Sequence, residues 1–397
     1  MTVSQGERKS TRATETDGPG LEREGQTWRV RDAALVRQVL RHKDATTQAG
    51  FSAESVSSAR IRQPILFADG DEHRRQRSKI ARFFAPKVVS TRYRELMAER
   101  AEALLTAQGR DIVLDRLALE YSVTVAAEVI GLTNSSTSGL SRRLESLFNQ
   151  PHYDPTAEDG GRSRATRIMA RLTGGLPLVP FYLFDVRPAV RARRSAPAED
   201  VISHLIGEGY NGLDIMVECL TYGAAGMVTT REFISMAAWH FLENAALRDR
   251  YLVSEERERL AILGEILRLE PVVGHLYRRA ACDIEVGDSV IPAGDLIDLH
   301  IRAANTDASV VGEEALSLCP GREVASGYGP EVMSFGDGAH KCPGNALAIQ
   351  ETDVMLRRLL ALPLTVVSTP TLEWDDLISG YRLRGFRLRI DHTGTRG

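Results

Sequence analysis

The stretch that decides the fold is Phe335-Gly336-Asp337-Gly338-Ala339-His340-Lys341-Cys342-Pro343-Gly344, with Asn345-Ala346-Leu347-Ala348 directly after it. A single cysteine closes a glycine-punctuated loop where helical periodicity is about to begin. Pro343 suits the first helical position, because its missing N–H would be unpaired there anyway. The helix N-terminus and the loop amides place partial positive charge around the sulfur, which favours thiolate over thiol. Gly336, Gly338 and Gly344 let the backbone turn tightly and approach a flat ligand. Such a loop presents an anionic sulfur to a metal. A lone cysteine is more commonly a small buried hydrophobe. Zinc is a poor alternative, since His340 and Cys342 are too few for a closed site and no second pair stands at finger spacing.

The string resembles the haem-binding loop of the cytochrome P-450 family, Phe-Gly-x-Gly-x-His/Arg-x-Cys-x-Gly with Leu-Ala following. Phe335, Gly336, Gly338, His340, Cys342, Gly344, Leu347 and Ala348 all match it. The resemblance implies haem b with Cys342 as the thiolate ligand of iron. Phe335, Gly336 and Gly344 would then lie against the cofactor and His340 at a propionate. No CxxCH motif supports covalent attachment.

The remaining chain is compatible with this. At 397 residues and 43% hydrophobic it can bury a large core, and a net charge of -3 argues against a nucleic-acid partner. Cys219, Cys282, Cys319 and Cys342 show no framework spacing, which suggests a reducing compartment and no disulfides. Residues 1–24 are polar and charged, so they are expected to form a disordered tail, neither signal peptide nor membrane anchor. Residues 25–397 are expected to form one domain of a soluble, cytoplasmic protein.

Further motifs follow in the family's order. Residues 45–70 are irregular, and the resemblance makes them the loop over the haem, with Leu66 at the cofactor. The helix opened by Asp69-Gly70-Asp71 carries His73 and Arg77 four apart on one face. Alone this is a basic surface, but it matches the family's propionate-binding helix. Arg74, Arg75, Lys79 and Arg82 are candidates for docking an acidic electron donor. Proline and glycine between residues 151 and 199 predict broken helices that resemble a substrate lid.

A long helix is expected from about Leu213 to Glu243. Glycine inside a helix costs about 1 kcal/mol relative to alanine, so Gly223 and Gly226 call for a reason. Ala225-Gly226-x-x-Thr229-Thr230 resembles the oxygen-activation helix, in which threonine helps deliver protons to dioxygen. The residue before that threonine is usually Asp or Glu; here it is Val228. Glu232, one turn later, is either a substitute acid or a surface charge. Glu265-x-x-Arg268 matches a buried structural pair, with Arg322 as its third member. Arg278 matches a second propionate arginine. Tyr222, Val273, His275 and Ile378 are candidate substrate contacts. Asp283 to Leu299 reads as a β-hairpin around Gly287, and Thr306 departs from a family segment that usually has arginine there.

The expected fold is therefore mainly α with a smaller β region, the haem lying between the oxygen-activation helix and the cysteine loop. The expected activity is monooxygenation of a small organic, secondary-metabolite substrate, with NAD(P)H electrons arriving through ferredoxin and ferredoxin reductase. Peroxide use or oxidative coupling is the alternative raised by Val228. A non-catalytic haem binder is a further one.

Overall fold

The computed structural model describes residues 7–11, 18–50, 62–148, 178–375 and 378–391. The helices around the site are α1 Ala33–Arg41, α2 Gly70–Phe84, α3 Arg94–Ala107, α4 Leu114–Ile130, α5 Gly212–Gly223, α6 Thr229–Glu243, α7 Glu256–Leu269 and α8 Asn345–Leu360. The strands are β1 Leu21–Glu24, β2 Thr27–Val30, β3 Thr46–Ala49, β4 Asp111–Val113, β5 His275–Ala280, β6 Ile284–Val286, β7 Ser289–Ile291, β8 Leu296–His300, β9 Leu364–Ser368, β10 Thr371–Asp375, β11 Gly380–Arg384 and β12 Arg387–Ile390.

Two apolar cores organise these elements. Helix α4 buries Leu114, Leu117, Tyr121, Val125 and Ile130, and α6 buries Phe233 through Ala238 and Phe241. A helix that is apolar nearly all round belongs in the interior, and these two form the centre of the larger core with α5, α7 and α8 around them. The smaller core lies between α1 and a five-stranded sheet of order β1-β2-β8-β5-β3, and joins Val30, Val36, Ile297 and Leu299 to Met333. The cysteine loop spans the two cores: Met333 belongs to the smaller, while Phe335 and Leu347 pack on the larger.

Helices α5 and α6 form one rod joined by a single π turn, Ala224–Val228. The π turn widens the helix and frees carbonyls. That of Met227 accepts the Ser122 hydroxyl of α4 at 2.8 Å, and that of Ala225 accepts the Thr229 hydroxyl. The expected hairpin forms as β6 and β7, turning at Gly287 with φ +55°.

Order begins earlier in the chain than residue 25. Leu21–Glu24 pairs antiparallel with β2, and within the polar N-terminus Ser10 is fully buried against Glu270. Residues 1–6 and 12–17 lie outside the described residues, as do 51–61 of the expected haem loop and 151–177 of the expected lid. Helix α8 starts at Asn345 rather than at Pro343, with Gly344 as its cap. Among the described residues no helix is long and apolar enough to cross a membrane. All four cysteines are free thiols.

Candidate active site

The cysteine loop is held from two sides. Its own turn is closed by the Gly336 N–H to the Met333 carbonyl at 2.8 Å and the Cys342 N–H to the Phe335 carbonyl at 2.9 Å. On one side Asp337 accepts Arg37 Nε at 2.9 Å and Arg41 Nε at 3.0 Å, two arginines one turn apart on α1. Contact with α1 is so close that a Cβ at Gly338 (φ +69°) would lie 2.0 Å from the Leu40 carbonyl oxygen, so only glycine fits.

Behind the loop stands the end of α7. Glu265 receives two bonds from Arg268, at 2.6 and 2.8 Å, plus Arg322 Nε at 3.1 Å and the Cys319 N–H at 3.0 Å. Arg268 is fully buried and spends its remaining donors on the carbonyls of Asn305, Ala315 and Ser317. Asn305 connects this cluster to the loop. Its Nδ2 donates to the Arg268 carbonyl and to Ser334 Oγ, and its Oδ1 accepts the Met333 N–H at 2.8 Å. A buried pair stripped of one partner is strongly destabilising, so Glu265, Arg268 and Arg322 act structurally.

The buried rod of α5 and α6 opens midway along its length. Ala225 is exposed and Gly226 and Thr229 are half-buried, while Met227, Val228 and Thr230 are buried. Such exposure midway along an interior helix means that these three residues line an internal space. Phe335, Cys342, Ala346 and Ile349 likewise keep open surface although they border the main core.

A cationic rim completes this space. His73 and His340 stack with ring centroids 3.9 Å apart, and His340 Nε2 shares a hydrogen bond with Asp69 at 3.1 Å. Burial lowers His73 to about 4, helped by the charges of His340 and Arg77, so the ring is a neutral donor at pH 7. Burial lowers His340 as well, against the pull of Asp69. Arg278 is almost completely buried, which drops it to about 10, with Asp69 as its acidic neighbour. Arg77 donates to the Lys341 carbonyl and lies within electrostatic reach of Cys342 and Tyr222. The rim thus offers two guanidinium charges and two imidazole donors against a single carboxylate. Its surplus positive charge fits a ligand with two acidic groups, and the apolar, half-open floor and ceiling fit a flat ring. These residues fit haem.

Several expectations need correction. Burial pushes the Cys342 thiol up; the Gly344 N–H, Arg77 and Lys341 pull it back but do not win, so the helix terminus alone does not make a thiolate. Glu232 is neither a relay acid nor a surface charge. Fully buried, it accepts Arg231 and Arg384, each at 2.8 Å, and the Leu383 N–H at 2.7 Å, which ties α6 to β11. His275 does not point into the site. Alternation along β5 puts Leu276 and Arg278 toward the cysteine loop and His275 on the other face, hydrogen-bonded to Asp298 at 2.7 Å.

The other candidates are placed as follows. Tyr222 is buried and stacks on Phe84 with centroids 6.2 Å apart. Ile378 is buried and Val273 half-buried on the larger core, and the chain beside them is tight: a Cβ at Gly380 would lie 1.8 Å from the Val272 carbonyl oxygen and 3.4 Å from the Ile378 side chain. Leu66 is half-buried in the turn before α2. Sequence reasoning missed Asp69, which also accepts the Gln48 N–H of β3 at 3.0 Å, and the Asp337 clamp. It also missed Asp214 and Glu218, one turn apart on α5, which accept the N–H groups of Arg62 and Ile65. Their i, i+4 spacing was the available signal. Thr306 bonds back to the carbonyls of Arg302 and Ala303.

One sulfur donor beneath a dianion-binding rim leaves the rest of a metal's coordination to the cofactor itself, and that is the demand of a haem-thiolate protein. The known proteins agree. A family profile for cytochrome P-450 matches residues 260–362. The chain is 28% identical over 315 residues to cytochrome P-450 130 of Mycobacterium tuberculosis, covering 75% of this chain and 71% of that one. It is 27% identical over 361 residues to the erythromycin C-12 hydroxylase of Saccharopolyspora erythraea, covering 87% and 86%. A solved structure of an EryK mutant with erythromycin B superposes with a TM-score of 0.74 at 22% identity, covering 95% and 94%. The chain belongs to the cytochrome P-450 family and is a monooxygenase of that family.

Proposed function

We propose that this enzyme inserts one oxygen atom from dioxygen into a small organic substrate of the secondary-metabolite class, with NAD(P)H electrons delivered by a ferredoxin and its reductase. The observation that carries the reading is the open patch of Ala225, Gly226 and Thr229 midway along a buried rod, taken together with the cysteine loop and its cationic rim. Hydroxylation of erythromycin by a relative aligned over most of both chains supports the substrate class.

Cys342 would ligate iron through sulfur, and Arg77, Arg278, His73 and His340 would hold the carboxylates. Bound haem supplies the dioxygen chemistry, with thiolate donation favouring O–O cleavage. The protein supplies the space and the protons. The Thr229 hydroxyl rests on the Ala225 carbonyl and can turn its proton into the open space. Val228 brings no acid beside it, and Glu232 is held by two arginines, so water or a polar substrate group must feed that hydroxyl. Val273 and Ile378 give the pocket an apolar wall. Electrons would enter at α2, where Arg74, Arg75 and Lys79 are paired with Asp71, Glu72 and Glu208. Surface pairs of this kind are worth at most about 1 kcal/mol each, so an acidic partner can exchange with them.

The test is a spectral titration of the purified holoenzyme with macrolide, terpene and aromatic candidates, followed by turnover with ferredoxin and reductase. A substrate that shifts the haem band and yields an oxygenated product supports the reading; no product from any band-shifting compound contradicts it. The buried Val228 and the locked Glu232 favour a second reading, in which peroxide is the oxidant or the product arises by oxidative coupling. Thr229→Ala separates the two. Under dioxygen use it lowers NAD(P)H-driven product formation by roughly 10²-fold and spares peroxide-driven turnover. Equal product in both variants favours the peroxide reading.

A further inference from the structure

We propose that His275, Asp298 and His300 form a second metal site, distinct from the haem site, that takes a divalent transition-metal ion of the zinc type. The three donor groups sit on adjacent antiparallel strands, β5 and β8, in the five-stranded sheet. His275 and His300 are direct cross-strand partners, and Asp298 lies two residues before His300 on the same face. Their donor atoms all fall within 4.8 Å of one another. His275 Nδ1 is 2.7 Å from one Asp298 oxygen, His300 Nε2 is 3.0 Å from the other, and the imidazole centroids are 4.2 Å apart.

Zinc binds imidazole nitrogen at about 2.0–2.1 Å and carboxylate oxygen at about 2.0–2.2 Å, so donors in a tetrahedral shell stand roughly 3.3 Å apart. To reach that separation the two N···O contacts would open by roughly 0.3–0.6 Å. Two imidazoles and one carboxylate with positions left for water suit zinc and its borderline neighbours rather than calcium or magnesium. Sites on paired strands are also held more rigidly than sites on loops.

Asp298 differs from the buried carboxylates that serve structure. Glu232, Glu265 and Asp353 each pair with arginine, whereas Asp298 pairs with two groups that are themselves metal ligands. Asp298 is 5% exposed, while His275 and His300 keep 14% and 13% of their side-chain surface open, an edge through which an ion can enter. Arg31 lies within electrostatic reach of His300, but its charge is shared with Glu22 at 2.9 Å. Because Arg278 leaves the opposite face of β5 toward the haem rim, an ion here would brace the strand that carries it.

The experiment loads haem-replete protein with zinc sulfate, removes loose ion by gel filtration, and measures zinc and iron per chain by mass spectrometry. The site predicts about one zinc per chain in the wild type. His275→Ala and His300→Ala should each weaken zinc binding by roughly tenfold or more, with the haem spectrum serving as the check that the variants fold. Absence of zinc from the wild type, or undiminished zinc in either variant, overturns the proposal. If a variant does not fold, zinc-edge X-ray absorption on the wild type decides: imidazole scattering with nitrogen and oxygen neighbours supports the site, and a sulfur or all-oxygen shell overturns it.

Discussion

Glu218 is a carboxyl that the fold keeps from water. Only 3% exposed, it accepts the Ile65 N–H with one oxygen and has no partner for the other. Burial pushes it up to about 8 from an ordinary 4.5, with a smaller push from Asp214. The folded chain therefore holds a proton that the unfolded chain releases between those two values. Its contribution to stability is fully present below pH 4.5 and is lost as pH rises through 8. Glu218→Gln should flatten that part of the pH–stability curve and raise the melting temperature at pH 9 by an amount corresponding to a few kcal/mol, read by calorimetry. At Arg268 the expectation is the reverse in sign: Arg268→Ala leaves Glu265 buried without its main partner and should cost about 3–5 kcal/mol in denaturant unfolding, with haem lost in proportion. The sequence announced Glu265 and Arg268 because their spacing recurs with their function. It misread Glu232 and was silent on Glu218, since a glutamate on a helix reads the same whether it meets solvent or a partner brought from far along the chain.

Helix boundaries were largely legible because periodicity and breakers act locally. Helix α2 opens at Gly70, α8 covers Asn345–Leu360, and the rod from α5 to α6 ends at Glu243, all close to the pattern-based expectation. The π turn between α5 and α6 was not legible, since nothing in Ala224–Val228 distinguishes five residues of π from α geometry until Ser122 of α4 is in place to take the Met227 carbonyl. The same holds for α1, a short helix that proves to be a clamp on the cysteine loop. At this scale Gly338→Ala is the informative substitution. Its Cβ would collide with the Leu40 carbonyl, and its φ of +69° disfavours any side chain. We expect a loss of about 2–3 kcal/mol and weakened haem retention, seen as a lower haem-to-protein absorbance ratio after dialysis. Arg37→Ala, which removes one of two arginines on Asp337, should act in the same direction by about 1 kcal/mol.

Across the whole molecule, the N-terminal residues reach the centre of the fold. Ser10 is buried between Glu270 and Arg302, and Arg8 donates to the Leu269 carbonyl at 2.8 Å and the Arg302 carbonyl at 3.1 Å. Composition around residue 10 spoke for solvent, and a polar strap pinned by charges more than two hundred positions away has no local signature. Replacing Ser10 by Val should leave Glu270 underbonded and lower stability by about 1–3 kcal/mol, with the effect measured by thermal unfolding of the full chain. What the sequence does carry at this scale is the order of four separated motifs: the α2 helix, the α5–α6 rod, the Glu265 cluster and the cysteine loop. The fold sets the α2 helix against the cysteine loop and the Glu265 cluster behind it. The central claim is that Cys342 sulfur is the ligand of a haem iron, and the reduced carbon-monoxide difference spectrum tests it most directly. The wild type should show the red-shifted band of thiolate coordination and Cys342→His should lose it while still binding haem. A wild-type spectrum without that band, or a Cys342→His spectrum that keeps it, would contradict the account.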